Sequence, residues 1–128
     1  MRKGIILSSV FLLSMAEPVK VNTHLLVKVV DKEGITHQLK GISCNGRTYL
    51  KIKEGSVDYA VPFEDIRHIR VLSQKEDGLE VDMELKGGLK KHARLDLGIY
   101  CTSISELGKA NFYIRDVRDI FIEKGDGR

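Results

Sequence analysis

The residues able to do chemistry in this 128-residue chain are few and widely spaced. None of the four histidines, His24, His37, His68 and His92, stands in the His-x-His or His-Glu-x-x-His spacing that lays out metal ligands, and there is no Cys-x-x-Cys. His37 alternates with Ile35 and Leu39 on one strand face, where a rim position explains it without a ligand. No Gly-x-Ser-x-Gly elbow, phosphate-cradling glycine loop or dinucleotide fingerprint occurs. Asp82 and Glu84 pair only in the sense that they alternate with Val81 and Met83 along a strand. The expectation is a protein that is not an enzyme, with no catalytic residues, no metal and no cofactor.

Three other sets of residues carry more specific expectations. Cys44 and Cys101 are the two cysteines. In an oxidising compartment a bridge between them closes a loop of about sixty residues and stabilises by roughly 4 kcal/mol in the chain-entropy picture. The alternative is two thiols packed separately, and spacing does not choose between them. Arg67 and Arg118 each follow an aspartate by two residues, Asp65 and Asp116. Read structurally, each aspartate fixes a turn by accepting backbone N–H groups two residues on. Read functionally, the two arginines form an anion or carboxylate site. Tyr113 and Phe121 fall on outward strand faces by parity and are the candidate interface aromatics, the others being assigned mostly to the core.

The elements that must position these residues are strands. Apolar residues recur at every second place in Val57–Phe63, in Leu79–Leu85 and along one long strand over Leu89–Ile99. Asn45-Gly46 and Lys86-Gly87-Gly88 mark tight turns. The polar stretch Ser73–Gly78 reads as the division between two halves. Those halves resemble each other. A shift of 51 residues superimposes Tyr49 on Tyr100, Asp65 on Asp116, Arg67 on Arg118 and Ile69 on Ile120; upstream, a shift of 54 brings Gly34 onto Gly88. The predicted fold is therefore all-β, with two pseudo-repeated small barrel-like or sandwich modules, residues 25–72 and 79–123, packed together.

The N-terminus has the pattern of a secretory signal peptide, residues 1–16. Arg2 and Lys3 precede an apolar run over Ile5–Leu13, and Ser14-Met15-Ala16 supplies a cleavage site. That run is too short to span a bilayer, which takes ~20 residues. Cleavage near Ala16 leaves a unit of residues 17–128 without a membrane span, exported to the periplasm or the exterior. Losing Arg2 and Lys3 lowers the formal charge from +3 to +1. With basic and acidic residues interspersed, nucleic acid is not the expected partner.

The strand order, closing on apolar-x-x-Asp-Ile-x-x-Ile at Pro62–Ile69, resembles SH3-like and Sm-like small β-barrel modules. It is similar also to exported bacterial proteins of unknown function that carry a repeated Asp-Ile-Arg-x-Ile strand module. The resemblance covers each half once and implies architecture, not binding residues, since the Sm-type RNA-binding signature is not recognisable. The expected function is an exported, non-catalytic envelope protein acting as a protein-interaction or assembly module. Its partner is expected to be a protein or a second copy. The alternative is a small anionic-ligand-binding domain using the paired arginines.

Overall fold

Period-two burial dominates residues 22–125, which the computed structural model describes; the expected signal segment lies outside them. Leu25, Val27 and Val29 are buried while Leu26 and Lys28 between them are exposed; Leu79, Val81 and Met83 repeat the pattern. Ten strands result: β1 (Leu25–Asp31), β2 (Thr36–Cys44), β3 (Tyr49–Glu54), β4 (Val57–Pro62), β5 (Ile66–Lys75), β6 (Gly78–Leu85), β7 (Lys90–Leu95), β8 (Tyr100–Ser105), β9 (Gly108–Tyr113) and β10 (Val117–Lys124). Single 3-10 turns, Phe63–Asp65 and Ile114–Asp116, precede β5 and β10. No helix among the described residues is long and apolar enough to cross a membrane.

All ten strands form one curled antiparallel half-barrel sheet in the order β4-β3-β7-β6-β5-β10-β1-β2-β8-β9. If β1–β5 are exchanged with β6–β10, this order reads the same from the opposite edge. The centre is the β5–β10 ladder, where Ile69 opposes Ile120 and both are fully buried. The concave side is filled by a single apolar cluster that draws on both halves of the chain.

The sheet departs from the sequence reading in four places. The strand expected over Leu89–Ile99 stops at Leu95; Asp96 to Ile99 turn the chain, and alternation persists there because Ile99 still reaches the core. Ser73–Gly78 is not an irregular connection. β5 and β6 run through it as a hairpin with only Glu76-Asp77 between them, and its polarity reflects an exposed tip. Tyr59 and Tyr100, assigned to the core by alternation, are exposed, because each lies on or next to an edge strand. Finally, β3 does not pair with β2, its predecessor in the chain. The β3–β4 hairpin joins β7 and the β8–β9 hairpin joins β2, so neighbouring strands come from both segments 25–72 and 79–123.

The turn after β2 shows why the chain leaves its sheet neighbour. Asn45 (φ 53°) and Gly46 (φ 77°) are both left-handed, and Cys44 and Arg47 exchange two backbone hydrogen bonds across them. That tight reversal directs β3 away, and the Asn45 side chain accepts a hydrogen bond from the Tyr100 N–H on β8. Cys44 and Cys101 stand opposite each other in the β2–β8 ladder, Cα atoms 4.0 Å apart, and form a disulfide. The bridge therefore joins the two exchanged parts at the crossover.

Candidate binding surface

The outer face of the sheet is a grid whose rows follow from strand register. One row runs Ile104, Lys40, Leu26, Glu123 across β8, β2, β1 and β10. The next runs Gln38, Lys28, Phe121, His68, Glu84, Lys90 from β2 to β7. A third carries Asp119, Arg70, Asp82 and His92. Residues opposite each other in an antiparallel ladder share a face, so these side chains are neighbours on one surface.

Asp119 anchors the middle of that surface. It is 5% exposed, and its Oδ1 accepts hydrogen bonds from His68 Nε2 at 2.8 Å and Arg70 Nε at 3.2 Å. Burial pushes the carboxyl up, but the hydrogen bonds and charges of His68 and Arg70 outweigh it and hold Asp119 below its ordinary value. The His68 ring stacks on Phe121, centroids 4.2 Å apart and planes 3° off parallel, and Lys28 Nζ lies 5.0 Å from the Phe121 centroid on β10.

On the β6–β7 side most charges neutralise one another, Lys90 excepted. His92 reaches Asp82 through Nδ1 at 3.0 Å and Glu80 through Nε2 at 2.7 Å. Two carboxylate acceptors require both ring nitrogens to donate, which is the imidazolium form. These two hydrogen bonds, Asp82 first, raise the His92 pKa. Arg94 bonds Asp77 at 2.6 Å and Lys91 bonds Glu54 at 2.8 Å.

On the β1–β2–β10 side lies an open groove of about 930 Å³. Its basic lining residues are Lys28, Lys40, Arg67, Lys86 and Lys124. Glu64, Glu106 and Glu123 also line it. Leu26 and Ile104, both more than a third exposed, and the half-buried Phe121 supply apolar surface.

Residues 21–125 match a protein family described as "Uncharacterised protein". The chain is also 32% identical over 119 residues to a protein of Aquifex aeolicus (strain VF5) described as "Uncharacterized protein", covering 91% of this chain and 90% of that one. The chain belongs to this family.

In this family member the repeated arginines do not converge. The β5–β10 register pairs Asp119 with Arg70 and Phe121 with His68; Arg67 lies beyond one end of that ladder and Arg118 beyond the other. Four strand steps separate them, on the order of 13 Å. Each is instead the extra residue of a β-bulge: the register skips Arg67 between Ile66 and His68, and Arg118 between Val117 and Asp119. Arg67 opens into the groove, whereas Arg118 lies 3.5 Å from Asp119.

The aspartates before the bulges hold their corners by backbone, not by carboxylate. The Asp65 carbonyl accepts from Lys86 N–H at 2.9 Å and the Asp116 carbonyl from Lys32 N–H at 3.3 Å. The 3-10 turns are closed by the Ile66 and Val117 N–H groups bonding Phe63 and Ile114. Among the described residues, neither side chain accepts a hydrogen bond, which corrects the turn-fixing expectation; the short helical turn satisfies its own N–H groups.

Tyr113 is half-buried, tilted against Tyr100 at 4.8 Å, with the Arg115 guanidinium 4.2 Å from its ring centre. Phe121 lies on the outer grid. His37 bonds Asp31 at 3.0 Å on the exposed rim. No group of three or more His, Cys, Asp and Glu residues among those described is arranged to hold a metal ion. Sequence reading missed Asp119 because its partners lie 49 and 51 residues away. By parity Asp119 falls on the face opposite Ile120, so no local signal marked it as buried.

Proposed function

We propose that this chain is an exported, non-catalytic interaction module that captures an extended segment of a partner protein on the edge of its sheet. The observation that carries this reading is β4. It is one of the two edge strands, β9 being the other, and Val57 and Tyr59 on it are 52% and 49% exposed. An edge strand offers a row of unsatisfied N–H and C=O groups, and an extended chain adds to it by main-chain hydrogen bonding while side chains set specificity. Pro62 interrupts donation only at the end of β4.

The palindromic strand order supports a duplicated module over residues 25–72 and 79–123 whose hairpins are exchanged. The disulfide supports export, because such bridges persist in oxidising compartments. The experiment compares proteins retained from envelope extract by the unmodified chain and by V57K/Y59K. A partner retained by the first and lost by the second supports the reading, whereas equal retention refutes edge capture. Gel filtration of both shows whether a second copy takes the edge instead.

A further inference from the structure

Most cations at the β6–β7 end of the outer grid are paired, Lys90 excepted, whereas those around the groove are not. On the β6–β7 side, Arg94, Lys91 and His92 each meet a carboxylate within 3.0 Å, and Lys51 and Lys53 of β3 reach Asp58 and Asp96 at 3.7 and 3.3 Å. Around the groove, Lys28, Lys40, Arg67, Lys86 and Lys124 make no ion pair within 4 Å among the described residues. The acids that share the lining leave those five cations unanswered. Glu64 instead meets His24 at 3.5 Å.

The equivalent positions sharpen the contrast. Leu26, Lys28 and Lys40 correspond, at the offset of 54, to Glu80, Asp82 and Arg94. One half has spent these positions on internal neutralisation; the other keeps cations and apolar groups facing solvent. Unpaired cations set among exposed apolar side chains need break no existing ion pair to meet an external acid.

We infer that this groove binds an acidic polypeptide segment in extended conformation, whose groove-facing side chains, every second residue, alternate between carboxylate and apolar. Charge complementarity names the carboxylates. The grid names the conformation, since Leu26 and Lys28 lie two strand residues apart, about 7 Å, which is the side-chain repeat of an extended peptide. This site lies apart from β4 and does not depend on edge capture.

The test uses the full oxidised chain and three probes: a fluorescein-labelled octapeptide with Glu and Leu alternating at its odd positions and Ser at its even ones, the same peptide with Lys for Glu, and phosphatidylglycerol vesicles. The Glu peptide is expected to bind, and to bind more weakly as salt rises. K28E/K40E/R67E should weaken it at least tenfold. K51E/K53E/K91E, which changes net charge equally on the paired side, should leave it within about twofold, as should Y59K; circular dichroism confirms that each variant is folded. Equal binding of the Lys peptide, equal loss in both triple variants, no binding of the Glu peptide, or binding to vesicles alone would each overturn the proposal.

Discussion

His68 and Asp119 are 51 residues apart in the chain and meet at 2.8 Å across the central ladder. That separation equals the offset that superimposes Asp65 on Asp116 and Ile69 on Ile120. The two residues thus occupy positions that the 51-residue offset aligns in the sequence, and they meet at the centre of the sheet. Two identical residues there would meet as like with like: two carboxylates would repel. An imidazole facing a carboxylate replaces that conflict with a hydrogen bond, to which Arg70 adds a second.

Asp119→Asn is therefore expected to destabilise the fold by about 1–3 kcal/mol, the usual cost of leaving a buried polar partner poorly satisfied. Because the Asp119 pKa is lowered in the folded protein, its contribution is complete above the unfolded carboxylate value, about 3.9, and disappears as pH falls through the lower folded value. Denaturant titration of both proteins at pH 7 and pH 3 measures this, with the gap between them narrowing in acid.

Replacing both cysteines, as C44S/C101S, should lower stability by about 4 kcal/mol, since the bridge spans 57 residues and constrains the unfolded chain. Urea midpoints of oxidised, reduced and substituted protein provide the comparison. An unchanged midpoint would mean that the β2–β8 crossover, with the Ser103 hydroxyl aimed at the Lys40 and Gly41 carbonyls, holds without covalent help.

His92 should titrate above the ordinary histidine value of about 6.5, and D82N/E80Q should return it toward that value. The raised pKa means that any stabilisation is full below the unfolded value and is lost as pH rises through the folded one. NMR titration of the ring protons reads the shift directly.

At the ladder centre, Ile69→Ala should cost about 2–5 kcal/mol, because Ile69 is fully buried against Ile120. Arg67→Ala, at an exposed bulge position, should change stability by no more than about 0.5 kcal/mol. Thermal melts of the two variants separate a core role from a surface one, even though both residues belong to the same repeated phrase.

Much of the fold is legible in the sequence because alternation is a local signal. Leu79, Val81 and Met83 declare a buried face wherever the strand is placed, and Asn45-Gly46 declares its turn. Pairing is not local. Whether β3 joins β2 or β7 depends on contacts of the whole sheet, so that pairing left no mark in the residues of β2 or β3 taken alone. Alternation also overstates burial at edges: Tyr59 fits the period but has no sheet beyond it. The candidate surface was legible only in pieces. Phe121 and Arg67 could be singled out, but their company of Lys28, Lys40 and His68 arises from register across four strands.

Amide hydrogen exchange of the chain alone and in complex with the protein it retains tests edge capture most directly. New protection concentrated in Val57–Pro62 is the expected result, as a partner strand takes up the free N–H groups of β4. A complex that leaves those amides exchanging at their free rates, with protection elsewhere, would contradict it.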